Sequence, residues 1–258
     1  MFNVLVMCAV VILLYMSAFF VLATIRKNAG LVDIGWGLGF VVIAWMTYFL
    51  GHYEVLRDLP QTLILILVSL WGLRLGYHVY QRNKNKPEDF RYLNWRKTWN
   101  HYYLRSYFQI FILQGIFMFM IALPIMVINS SSNSDWSFLL YVGLVVWLIG
   151  FLFEAIGDWQ LAQFIKVGKN RGHIINSGLW RYTRHPNYFG EVTLWWGVFL
   201  IAFSSTNQLL LITSPLLISF LIIKVSGIPM LEKKYNGNAE FESYKKRTSV
   251  FFPWFPKR

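Results

Sequence analysis

Apolar residues in this chain gather in long blocks separated by short polar stretches. The first block, Phe2–Ile25, carries no charge and is long enough to cross ~30 Å of hydrocarbon as a helix. It lacks a basic start and a small-residue cleavage site, so it reads as an anchor and not as a removable signal. Further blocks run at Ile34–Leu50, Gln61–Tyr80, Tyr107–Ile128, Trp136–Gly157, Asn187–Phe203 and Asn207–Ile223. The pattern predicts an all-α, polytopic integral membrane protein with about seven transmembrane helices. The sixth and seventh, joined through Ser204–Thr206, are expected to form a tight hairpin.

Composition agrees with the blocks. Charged residues are 14% of the 258 and hydrophobic residues 56%, where a globular protein carries closer to ~25% charge. The net charge of +12 would suggest nucleic acid for a soluble basic domain. Here the cations crowd into a few loops, so the implied partner is the bilayer. Alternate sides of the predicted helices hold 22 Lys and Arg against one, with Arg74 left inside a span. By the positive-inside rule the N-terminus is outside and the C-terminus cytoplasmic. Compact length and short loops point to a bacterial inner membrane over the endoplasmic reticulum. The single cysteine, Cys8, excludes an intramolecular disulfide and a cysteine-based metal site. The Asn129-Ser-Ser sequon lies on the expected outer side. Gly35 and Gly39 form a small-xxx-small pair suited to close helix packing. The run Gly35-Trp-Gly-Leu-Gly39 lacks the spacing and the preceding strand of a dinucleotide fingerprint.

Ionisable groups at membrane depth are costly unless paired or facing water, so each marks a candidate site. They are Asp33, Arg74, Glu154, Asp158 and Glu191, with Arg184 and His185 at the boundary. The plain reading of Asp33 and Arg74 is an interhelical ion pair. Glu154 and Asp158, four apart, share one helical face. The segment Arg181-Tyr-Thr-Arg-His-Pro-Asn-Tyr-Phe-Gly-Glu191 predicts a helix start at Pro186, whose missing N–H is not needed there. His185 before it is pushed out of helical geometry. Arg181, Arg184 and His185 then stand at the positive end of a helix dipole, an arrangement that suits phosphates. Asn187, Tyr188 and Glu191 descend from that mouth opposite Asp158. The loop cations Lys166, Lys169 and Arg171 either solvate a positive-inside loop or face the same anion. Tail residues Glu232, Tyr235 and Tyr244 either close the site or belong to an amphipathic surface helix.

The Arg184-His-Pro-Asn-Tyr-Phe-Gly-Glu191 segment resembles the signature of a membrane superfamily that includes steroid 5α-reductases, sterol reductases, and isoprenylcysteine and phospholipid methyltransferases. Asp33-Ile-Gly-Trp-Gly-Leu-Gly-Phe40, Trp71-Gly-Leu-Arg74, Pro87-Glu-Asp-Phe-Arg-Tyr92, Glu154-Ala-Ile-Gly-Asp-Trp-Gln-Leu161 and the ending Glu242–Pro253 resemble the DUF1295 family of steroid-5α-reductase-like proteins. The resemblance runs nearly end to end. It implies NADPH held by the C-terminal helices and loops, with Glu154, Asp158, Tyr182, His185, Asn187, Tyr188, Glu191 and Tyr244 around the cofactor. Arg184, Lys166, Lys169 and Arg171 would face its phosphates. It also implies a substrate carbonyl held by a helix-2 acid and a helix-3 tyrosine. Asp33 falls at the acidic position, one methylene shorter than the family's glutamate. Trp71 stands at the tyrosine position, with Arg74 and Tyr77 close by in sequence. Residues 1–128 would then form the substrate side and 129–258 the cofactor side.

The leading expectation is an NADPH-dependent membrane reductase acting on the C=C bond of an α,β-unsaturated lipid, steroid- or terpenoid-like. Asp33, as the acid that polarises the carbonyl, would need its pKa raised by burial. One rival is a membrane methyltransferase of a lipid or prenylated cysteine that uses S-adenosylmethionine at the same Arg-His-Pro helix start. The other is a non-catalytic seven-helix protein in which the buried charges are structural.

Overall fold

The computed structural model describes residues 2–50, 58–84, 86–131, 137–170 and 172–257, with the Lys169 side chain outside that set. Among the described residues there are seven helices long and apolar enough to span a membrane, and no strand. The chain is an all-α, multi-pass membrane protein. The spans are α1 (Phe2–Arg26), α2 (Leu31–Leu50), α3 (Leu59–Asn83), α5 (Tyr102–Ile121), α7 (Phe138–Lys166), α8 (Pro186–Thr206) and α9 (Leu209–Lys233). Between and after them lie α4 (Phe90–Thr98), α6 (Leu123–Asn129) and α10 (Ala239–Arg247).

Several boundaries differ from the sequence pattern for local reasons. The fourth apolar block is two helices, because the chain breaks at Ala122 and restarts with Pro124 in the first turn of α6; proline there needs no N–H donor. α5 also contains a π-helical turn at Tyr107–Ile112, and α9 one at Leu221–Val225. α7 runs nine residues beyond Gly157 to Lys166, so Asp158 lies inside a helix and not at its end. Ser204–Thr206 belong to α8, and the connection to α9 turns at Asn207, whose φ is +52°.

Contacts divide the chain into two units, Met1–Ser137 with Ala202–Ser214, and Phe138–Ile201 with Pro215–Arg258. In the first, α2 and α3 touch backbone to backbone at Gly37 and Gly72: a Cβ on Gly37 would stand 2.8 Å from the Gly72 carbonyl oxygen. Gly35 and Gly39, the pair picked out by spacing, instead receive the side chains of Phe19 and Met118. Phe40 and Trp71 meet edge to face, 5.6 Å between centroids, in the core beside Ile64, Ile121 and Ile125. The sequon asparagine is not a surface acceptor. Asn129 is buried, and its amide donates to Thr47 Oγ1 at 2.8 Å.

The second unit is built on a seam of glycines. Gly143, Gly150 and Gly157 recur every seventh residue along α7, as Gly190 and Gly197 do along α8. Seven residues is close to two helical turns, so each set stays on one face. A Cβ on Gly143, Gly150, Gly190 or Gly197 would come closer than 3.0 Å to backbone of the opposite helix. The backbone at Gly190 lies against that of Glu154, and Gly157 lies against Asn187. The seam therefore sets the depth at which the polar residues of the two helices meet.

Candidate functional site

The segment before α8 is ordered by the C-terminal tail. Thr183 forms a parallel bridge with Ser249. The Arg184 N–H donates to Ser249 O at 2.8 Å, the Trp254 N–H to Tyr182 O at 2.9 Å and the Thr183 hydroxyl to Phe251 O at 2.8 Å. Pro186 opens α8, and His185 lies outside the helix. Residues 178–181 form a 3-10 turn pinned on α7 from both ends. Leu179 N–H donates to Gln160 Oε1 at 2.9 Å and the Trp180 indole to Gly157 O at 3.1 Å. The Tyr244 hydroxyl donates to Trp180 O, and burial raises its pKa, keeping it a donor.

At the mouth of α8, the Arg184 guanidinium donates to Glu232 Oε1 at 2.8 Å and to the carbonyl of Thr248 at 2.8 Å, with Lys245 O at 3.3 Å. Its Nη2 makes no bond among the described residues. His185 Nε2 stands 2.9 Å from the same Glu232 oxygen. Burial lowers the His185 pKa, against an opposing pull from Glu232. A neutral ring that gives its Nε2 proton to Glu232 leaves Nδ1 as an acceptor. That Nδ1 is buried with no hydrogen-bond partner, and the ring stacks on Tyr188, 5.5 Å between centroids.

Below this cluster, Asn187 donates to Asp158 Oδ1 at 3.1 Å, and its own Oδ1 accepts from Tyr188 N–H at 3.1 Å. Glu154 and Asp158 are both buried on one face of α7, and Glu191 is half-buried one turn along α8 from Asn187. Asp158, Asn187, Tyr188 and His185 are thus gathered within one unit, around the mouth and first turn of α8. Tyr182 is half-buried and rings with Phe255. Lys166 is exposed at the end of α7. The Lys169 side chain and Arg171 lie outside the described residues.

The first unit holds its own polar cluster. Asp33 Oδ1 accepts from the Tyr92 hydroxyl at 2.9 Å, and Arg91 stands 3.6 Å from Oδ2. The cation partner of Asp33 is thus Arg91 and not Arg74, because α4 carries its side chains onto the first turn of α2. Asp89 caps α4 by accepting from Arg91 N–H at 2.9 Å. Burial opposes its ionisation, yet Arg91 holds its pKa low. Glu88 accepts from Ala29 N–H at 2.6 Å and pairs with Arg96 at 2.9 Å. Burial, then the Asp33 carboxylate, push the Tyr92 phenol well above its ordinary pKa. The Tyr92 phenol therefore stays protonated and donates to Asp33. Trp71 is buried in the core on Phe40, Arg74 is half-buried on α3, and Tyr77 is 65% exposed on the same helix.

Sequence reasoning passed over Tyr92, Arg91 and the part played by Glu232. The signal for the last was a lone acid ahead of Lys233 and Lys234, beyond the last span. For the first two it was the Arg-Tyr pair inside a segment already noted as Pro87–Tyr92.

The model of a family described as a protein of unknown function, DUF1295, matches residues 19–248. An uncharacterised protein of Schizosaccharomyces pombe is 24% identical over 214 residues, 71% of this chain and 60% of the relative. The 3-oxo-5-alpha-steroid 4-dehydrogenase 1 of Rattus norvegicus is 25% identical over 114 residues, 43% of this chain and 40% of the relative. The protein of the same name from Bos taurus is 39% identical over 71 residues, 28% of this chain and 27% of the relative. The chain spans less than two thirds of the length of each. No solved structure matches.

Proposed function

The chain belongs to the DUF1295 family, and on that premise we propose that it is an NADPH-dependent membrane reductase of the C=C bond of an α,β-unsaturated lipid. The observation that carries the reading is the part-buried Asp158–Asn187 hydrogen bond across α7 and α8, close in sequence to a histidine whose Nδ1 has no partner. Polar groups at such depth are expensive, and they mark function by default. The names of the rat and bovine relatives describe dehydrogenases of 3-oxo-5α-steroids, which supports the enone class of substrate.

The residues fit a nicotinamide nucleotide. The orphaned His185 Nδ1 is an acceptor suited to an amide N–H. Asp158 and Asn187 supply acceptor and donor capacity for ribose hydroxyls. A bound NADPH would supply the hydride. The protein's part is positional: Glu232 fixes the His185 tautomer, Asn187 orients Asp158, and the glycine seam holds both helices at one separation. In the first unit, the Tyr92 hydroxyl is a protonated donor engaged by Asp33, and it would have to leave that carboxylate to serve a substrate carbonyl.

Thermal unfolding of detergent-solubilised protein with NADPH, NADH and S-adenosylmethionine tests the reading. Stabilisation by a nicotinamide nucleotide, reduced in Asp158→Asn and Asn187→Ala, supports it. Stabilisation by S-adenosylmethionine alone would sink it in favour of a methyltransferase.

A further inference from the structure

The second unit contains a cavity that the chemistry above does not use. A cleft of about 550 Å³ is lined by Ser177, Arg181, Tyr244, Arg247, Thr248 and Lys257, among others. Three of these are cations, and among the described residues no acid lines it. The carboxylates nearby are engaged elsewhere. Glu232 is held by Arg184 and His185, Glu240 pairs with His173 at 3.2 Å and accepts from Ile174 N–H, and Glu242 pairs with Lys245 at 3.3 Å. Arg181, Arg247 and Lys257 have no ion-pair partner among the described residues; Arg247 reaches only the Ser243 hydroxyl, at 3.4 Å.

The walls are set by contacts that leave these three charges unused. Lys257 N–H donates to Arg247 O at 2.9 Å, Trp254 N–H to Tyr182 O, and the Tyr244 hydroxyl to Trp180 O. Like charges fixed around one concavity repel each other, and the field they focus there attracts an anion. Preorganised walls lower the ordering cost of binding it.

We propose that this cleft binds a phosphomonoester dianion. Such a group carries close to two negative charges and three terminal oxygens, enough to engage three cations. Arginine grips phosphate through paired N–H donors, and a phosphodiester offers only one charge and two free oxygens. Two sources share the chemistry. One is the ribose phosphate that NADPH carries and NADH lacks. The other is a lipid phosphate such as phosphatidate, suggested by Trp254 and Phe255, which are 73% and 77% exposed and directly precede the cleft residues Pro256 and Lys257 in the chain. The nucleotide source rests on the reductase reading; the lipid source does not.

The experiment is thermal unfolding of the full chain in detergent with two matched pairs, NADPH against NADH and phosphatidate against phosphatidylglycerol in mixed micelles. The expected result is that the monoester stabilises more in one pair, which names the source. Arg181→Ala and Arg247→Ala should each weaken that binding by roughly tenfold or more, and the equal charge change Lys233→Ala should not. Lys257→Gln, at an exposed side chain, serves if the arginine variants fail to fold. Equal stabilisation within both pairs, or a preference that survives the cleft substitutions, would overturn the site. Equal stabilisation by NADPH and NADH with no lipid preference removes the cleft and leaves the reductase reading intact. A phosphatidate preference with no response to either nucleotide does the reverse.

Discussion

Both units fasten a polar segment to a helix terminus with partly buried charge, but their charge balance differs. In the first, Asp33, Glu88 and Asp89 meet Arg91 and Arg96, so the cluster is closed and has more acid than base. In the second, Glu232 alone serves both Arg184 and His185, and Arg181, Arg247 and Lys257 are left over. A closed cluster of this kind is a clamp with no cation left to offer an anionic ligand. An unbalanced one keeps a standing attraction for an anion. The helix packing differs in parallel: in the first unit the tightest backbone-to-backbone approach at a glycine is at Gly37 and Gly72, while the second has a seam repeated every seventh residue.

Four substitutions or titrations probe that contrast. The largest effect is expected at the seam. Gly190→Val places carbon against the Glu154 backbone, which no rotamer change relieves, and should cost about 3 kcal/mol or more. Gly168→Ala, with open space around it, should stay within about 0.5 kcal/mol. Similar denaturation midpoints for the two would show that the seam yields. Next comes Glu232→Ala, which strands Arg184 and the buried His185 and should cost about 3 kcal/mol. Glu232→Gln keeps an acceptor and should lose less; equal losses would mean that charge and hydrogen bonding do not matter there.

In the first unit, Tyr92→Phe removes one hydrogen bond and should cost only about 1 kcal/mol. A loss as large as that of Glu232→Ala would make the two clusters equivalent and undo the comparison. The smallest effect is the titration of His185. Burial places its folded pKa below the ordinary 6.5, with Glu232 opposing and Arg184 assisting. The unfolded chain therefore takes up the proton first. The stability from the neutral ring is full above 6.5 and is lost as pH falls below it. Melting temperature followed from about pH 7.5 to about pH 5.5 should fall more in the parent than in His185→Gln. A rise on acidification would mean that the Glu232 pairing outweighs burial.

The spans were legible because apolar length is a one-dimensional signal: α1, α2 and α3 fall within a few residues of their blocks. The start of α8 was legible too, since Pro186 and the residue before it have few conformational choices. Hidden instead were features made by chain reversal. Nothing in the spacing of Asp33 and Tyr92 announces a hydrogen bond across 59 positions. The match of Gly37 to Gly72 depends on which helix faces which, so the sequence pointed to Gly35 and Gly39 instead. Arg184 read as an open cation because its partner, Glu232, lies 48 residues away and beyond the last apolar block.

The threading of the tail has a practical corollary. Ser249, Phe251 and Trp254 bond to the segment ahead of α8, and Lys257 borders the cavity. An acidic peptide held near Lys257 would meet the same three cations and compete with any natural visitor. Protein for ligand screening is therefore best kept free of added acidic or polyhistidine segments near this cavity.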